Sequence, residues 1–175
     1  CNFLLNTGDY LVAFPDGARV RKSTNGTTWT DAGLNNGAYD FKWAIIHNGF
    51  IYCGKDGTNR VHYDDNEDLS ELEGLAVAAW GLTADPAVIS IGIGNIPTLG
   101  AAVYAGNLYV FREDGMWHMG EDKIARKVID FTTDRSSDNF RSWAVVNGYL
   151  IFPVRDTILQ WNGSRTSDIT PSRIT

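Results

Sequence analysis

The stretch Gly100–Gly120, GAAVYAGNLYVFREDGMWHMG, decides the fold. It reads as an apolar strand, a turn at Ala105-Gly106-Asn107 and a second strand Leu108–Phe111. A turn at Asp114-Gly115 and a third strand Met116–Met119 follow. Apolar and β-branched runs bounded by Gly, Asn and Asp are the pattern of short strands joined by tight turns. The same grammar occurs in FLLNTGDYLVAFPDGARVR (residues 3–21), WAIIHNGFIYCGKDGTNRVHY (43–63) and WAVVNGYLIFPVRDTILQW (143–161). The turn glycines are Gly8, Gly49, Gly106 and Gly148, spaced by 41, 57 and 42 residues. An Asp follows each of them, at Asp16, Asp56, Asp114 and Asp156, after 8, 7, 8 and 8 residues. A strand–turn–strand–turn–strand unit recurring every ~40–45 residues has the repeat length of a propeller blade. The expectation is therefore an all-β chain of four β-propeller-type blades, each a four-stranded antiparallel sheet. The repeats fall at about 1–40, 41–82, 83–135 and 136–175. They would form either a compact disc or part of a larger propeller.

Composition narrows the function classes. The chain has 175 residues, within one domain's usual length, and is 43% hydrophobic, enough for a real core. Its formal charge of -6 argues against a nucleic acid held by phosphate contacts. No apolar run reaches the length of a membrane-spanning helix. Cys1 and Cys53 are the only cysteines and read as buried thiols rather than a disulfide framework. A chain that opens on Cys1 is expected to be a piece of a longer protein or a processed product.

The 57-residue step exceeds its neighbour of 42 by 15 residues, so extra material lies somewhere within residues 64–99. That segment opens with six carboxylates in ten positions: Asp64, Asp65, Glu67, Asp68, Glu71 and Glu73. Asp64, Asn66 and Asp68 alternate as the oxygen ligands of a calcium loop do. The match then fails, with Leu69 where the loop needs Gly and Leu75 where it needs Glu. The expectation is a solvated acidic loop. Because an insertion is not needed to complete a blade, Asp64, Asp65, Glu67, Asp68, Glu71 and Trp80 are the expected partner-contact surface, suited to a basic partner.

Catalytic patterns are sparse. His47, His62 and His118 show no HxH or HExxH spacing, so no metal site and no cofactor is expected from them. There is no G-x-S-x-G, and nothing selects a pair of carboxylates for glycoside hydrolysis. No catalytic residue is named, and the expectation is a non-enzymatic protein. Trp43 and Trp143 share a repeat position, and Trp117 and Trp161 recur in third strands. Such recurrence points to packing between blades more than to sugar stacking.

Two resemblances add to this. Ser23–Trp29, STNGTTW, reads as a tight Asn-Gly hairpin. It also resembles the Asp-box of sialidase-like propellers, with Asn25 in place of the Asp and one spacer residue fewer. In that family the box ties a turn, and the resemblance implies a glycan-binding or glycan-cleaving alternative, secreted from the cell. Residues 84–173 resemble bacteriophage tail-associated propellers. The phrases that carry this are Asp85-Pro86-Ala87-Val88-Ile89, Gly106-Asn107-Leu108-Tyr109-Val110-Phe111-Arg112-Glu113-Asp114-Gly115-Met116-Trp117, Asp138-Asn139-Phe140-Arg141-Ser142-Trp143 and Gly148-Tyr149-Leu150-Ile151-Phe152-Pro153. This resemblance implies a structural virion component, assembled as a homo-oligomer and contacting other tail or virion subunits.

Overall fold

A computed structural model describes residues 3–15, 20–31, 41–55, 57–63, 88–132 and 142–171. The first sheet comprises β1 (Phe3–Asn6), β2 (Leu11–Phe14), β3 (Arg21–Ser23) and β4 (Thr30–Asp31). The second comprises β5 (Phe41–His47), β6 (Phe50–Lys55), β7 (Arg60–Tyr63) and β8 (Val88–Ser90). The third comprises β9 (Thr98–Tyr104), β10 (Asn107–Arg112), β11 (Gly115–Met119) and β12 (Ala125–Asp130). The fourth comprises β13 (Ala144–Val146), β14 (Tyr149–Val154), β15 (Thr157–Trp161) and β16 (Thr166–Asp168). Each is an antiparallel meander in chain order, so the chain is all-β and built of four four-stranded sheets. Among the described residues no helix is long and apolar enough to cross a membrane.

Turn chemistry sets the repeat. The turns after β5, β9 and β13 are Asn48-Gly49, Ala105-Gly106 and Asn147-Gly148, with φ of 48° and 82°, 48° and 76°, and 49° and 78°. Two consecutive positive φ angles make a type I′ turn, whose twist matches that of the strands it joins. In the first, third and fourth sheets the turn from third to fourth strand uses a side chain instead. Asn25 Oδ1 accepts from the amides of Thr27 and Thr28, Asp122 Oδ1 from Ile124, and Asn162 Oδ1 from Ser164 and Arg165. Asn25 thus holds the Asp-box-like turn as an Asp would. Ser23 Oγ accepts from Gly26 at 2.9 Å, and Trp29 Nε1 donates to the Gly26 carbonyl. This turn is wider than the two-residue Asn-Gly hairpin expected, because Gly26, not Asn25, takes the positive φ. The side-chain bonds replace the strand ladder there.

Register explains the packing. Ile51, Leu108 and Leu150 each stand second in their strand, and none is exposed to solvent. Ile51 and Cys53 pack with Val12, Phe14 and Phe41 against the first sheet. Tyr52, on the opposite face of β6, packs with Leu108 and Val110 of the third. Tyr109 and Phe111 turn in the same way to meet Leu150 and Phe152 of the fourth. Successive residues alternate faces, so each middle sheet is apolar on both sides. The recurring tryptophans cross between sheets, Trp43 Nε1 donating to Thr98 Oγ1 and Trp143 Nε1 to the carbonyl of Ala101. The outcome is a stack in which β5 borders β1 on one side and β9 on the other. First strands side by side loosely resemble a propeller's arrangement.

The fourth strand of the second sheet comes late. Val88–Ser90 pairs with β7, His62 opposite Val88, across the whole of residues 64–87. A buried Arg112 fastens the chain just beyond it. Its guanidinium donates to the carbonyls of Ile91 and Ile93 and forks onto Asp114 at 2.8 and 3.1 Å. Gly92, with φ of 63°, leaves room for that guanidinium and for the Trp117 ring.

Candidate functional site

A cleft of about 760 Å³ opens between the second and third sheets at their turn end. His47, Asn48, Phe50 and Tyr52 come from the first turn of the second sheet. Gly106 and Asn107 come from the matching turn of the third, and His118, Glu121, Asp122, Lys123 and Arg126 from the end of β11 and the turn into β12. The repeat places these groups together because equivalent turns of adjacent sheets lie at one rim.

The groups are held in defined states. His118 Nε2 lies 3.2 Å from Asn107 Oδ1, and its ring is 5.4 Å from Tyr109. Lys123 Nζ crosses from the third sheet to donate to Tyr52 Oη at 2.7 Å. Arg126 grips Asp122 through Nη1 at 3.1 Å and Nη2 at 2.6 Å. With the Ile124 amide, this drops the Asp122 carboxyl to about 2. Burial lowers the His47 imidazole below its usual value, aided by the Lys123 ammonium and by His118. Burial also raises the Tyr52 and Tyr109 phenols, Tyr109 further through Tyr104. At neutral pH the cleft therefore presents a neutral imidazole at His47, neutral phenols and a charge-compensated Asp122–Arg126 pair. A carboxyl at about 2 is a poor general acid, which needs a pKa near the working pH.

Of the residues singled out from the sequence, His47 and His118 line the cleft. The calcium candidates Asp64, Asn66 and Asp68 lie outside the described residues, as do the contact candidates Asp65, Glu67, Glu71 and Trp80. Cys1 does too, while Cys53 is buried in the core of the first two sheets. Among the described residues no three His, Cys, Asp or Glu side chains gather as a metal site. The third-strand histidines have different surroundings. His62 pairs with Cys53, whereas His118 pairs with Tyr109. Counted from the preceding turn, that is one register step apart, and one step moves a side chain to the other face. His62 is consequently buried edge-on to Phe41, and His118 lines the cleft. Sequence reading missed the cleft because its walls come from three separate turns. The available signal was the repeat itself, which stacks Asn48-Gly49 next to Ala105-Gly106.

No protein-family model matches this sequence, and no curated protein does. Solved structures do match. PorZ, an essential surface component of the type-IX secretion system of Porphyromonas gingivalis, aligns over 98% of this chain at 12% identity and a TM-score of 0.56. A quinoprotein alcohol dehydrogenase-like protein of Bacteroides thetaiotaomicron aligns over 94% at 16% identity and a TM-score of 0.60. The computationally designed Ika8 protein aligns over 97% at 12% identity and a TM-score of 0.56. The likeness is one of fold. This chain spans 21%, 41% and 49% of those three chains, respectively.

These matches correct the reading of the chain as a phage tail or virion component. They are a bacterial surface component, an enzyme-like protein and a designed protein, so neither a virion location nor a tail role follows from the fold. The physical reason is visible in the quoted phrases. Gly106-Asn107-Leu108 closes a type I′ turn and starts a buried strand, and Gly148-Tyr149-Leu150 does the same. Any antiparallel meander needs such residues, whatever its role. The expectation of a non-enzymatic protein is corrected for the same reason, since the fold is shared with a dehydrogenase-like chain.

Proposed function

We propose that this chain is a run of consecutive blades from a larger extracellular β-propeller, and that the cleft between its second and third sheets binds a glycan. The carrying observation is the cleft's make-up. Aromatic side chains of Phe50 and Tyr52 from the second sheet line it together with the hydrogen-bonding groups of Asn107 and His118 from the third, and the neutral imidazole of His47 lies 6.4 Å from the Tyr52 ring. A concave site with apolar faces and a few oriented polar groups is suited to a ligand that is apolar on its ring faces and polar at its rim, as a sugar is. The larger ring is supported by three apolar interfaces among four sheets, with Leu4 of the first sheet and Val145 and Ile158 of the fourth left exposed. PorZ, a bacterial surface component sharing the fold, supports an extracellular setting.

A glycan array probed with the 175-residue chain, followed by calorimetry on the strongest hit, tests the reading. His118→Ala and Asn107→Ala should each weaken binding about tenfold, the loss of one or two hydrogen bonds. Far-UV circular dichroism should show both variants folded. A folded wild-type chain that binds no glycan, or variants that bind as tightly as wild type, would overturn the proposal.

A further inference from the structure

Lys123 is held in an unusual way. It sits at φ of 59° in the turn between β11 and β12, a left-handed backbone that a lysine rarely adopts. Its side chain leaves the third sheet and lays its ammonium among three rings of the second. The ammonium lies 4.0 Å from the ring centre of Phe50, 5.0 Å from Tyr63 and 5.2 Å from Tyr52. The rings themselves are locked together by the sheet. Tyr52 and Tyr63 are cross-strand partners 5.8 Å apart, and Phe50 meets both at 6.2–6.3 Å, edge-on. The box is therefore built by the register of β6 and β7 and does not need Lys123 to exist. Phe50 and Tyr63 attract the cation through their ring quadrupoles, more strongly where water is reduced, and Tyr52 accepts its hydrogen bond at the hydroxyl end of the ring, 2.7 Å away. Lys123 also lines two hollows. One is the cleft already described, and the other, of about 410 Å³, is lined also by Tyr63, Val88, Ser90 and Gly92.

We infer that the Phe50–Tyr52–Tyr63 box is a recognition site for a small soluble alkylammonium ligand, and that Lys123 is its internal occupant. A ligand ammonium takes the place of the lysine's, and the displaced side chain swings out to solvent. The chemistry required is a compact cation bearing methyl or methylene groups, of the choline type. This site shares Phe50 and Tyr52 with the proposed glycan cleft, but choline carries no sugar, so a response to it stands or falls apart from the glycan reading.

The test titrates choline chloride against the wild-type chain, Lys123→Gly and Lys123→Asn, with sodium chloride matching the ionic strength. Ring resonances of Tyr52 and Tyr63 report binding. Gly and Asn both accept the left-handed backbone, so two routes to a folded protein without the lysine are available. Removing an internal competitor raises apparent affinity by the fraction of time it blocked the site, here expected to be about tenfold. Adding Phe50→Ala to either variant should abolish the gain, and 3,3-dimethylbutan-1-ol, the uncharged counterpart of choline, should not bind. Equal choline affinity with and without the lysine would overturn the inference. So would equal binding of the uncharged alcohol, or retention on phosphatidylcholine vesicles without any response to free choline.

Discussion

The indole of Trp143 stacks on the ring of Phe111 with 4.0 Å between centroids and 13° between planes, while its Nε1 donates to the Ala101 carbonyl at 3.2 Å. One side chain thus ties the fourth sheet to two strands of the third. Trp143→Ala should lower unfolding stability by about 2–4 kcal/mol, through lost burial and a lost aromatic pair. Trp143→Phe keeps a ring but loses the donor and should cost only about 1 kcal/mol. Urea unfolding of the two variants measures both, and equal losses would show that the stack contributes little.

Ala105 occupies the first position of a type I′ turn whose two counterparts, Asn48 and Asn147, are asparagines. An Ala there bears the left-handed penalty that Asn and Gly largely avoid. Ala105→Asn should raise stability by about 0.5–1 kcal/mol. Asn147→Ala should lower it by a similar amount. Chemical denaturation of the pair checks this, and an unchanged midpoint in both would refute the turn argument.

His47 gives the fold a dependence on acidity. Its folded-state value lies below the ordinary 6.5, so in that window the unfolded chain binds more protons than the folded one. Stability from this group is complete above 6.5 and is lost as pH falls from there through the folded value. His47→Gln should flatten the fall in melting temperature across that acidic window while leaving the value at pH 8 nearly unchanged. A slope that survives the substitution would assign the effect to other groups.

The four-sheet plan was open to reading because its signals are local. Asn48-Gly49, Ala105-Gly106 and Asn147-Gly148 announce the same turn, and the runs around Leu108 and Leu150 fit only a sheet apolar on both faces. Strand β8 was harder to see as a partner of β7, since the residues that pair are separated by a long acidic segment and an Asp-Pro that looks like a fresh start. The cleft was hidden for a different reason. Lys123, Tyr52 and His118 are ordinary strand and turn residues one by one, and only the lateral stacking of sheets makes them neighbours. The repeat spacing brings their turns to one rim, but which side chains meet there is decided by packing between sheets.

The late arrival of β8 has an engineering meaning. The chain leaves the second sheet after Tyr63 and returns at Val88 directly opposite His62, and Arg112 fastens the backbone at Ile91 and Ile93. The two ends of the intervening segment are thus anchored a strand's width apart, whatever lies between them. Closing a loop grows more costly only with the logarithm of its length, and doubling it adds about 0.6 kcal/mol. The second sheet is a socket, into which a segment of another length or composition can be grafted at little entropic penalty.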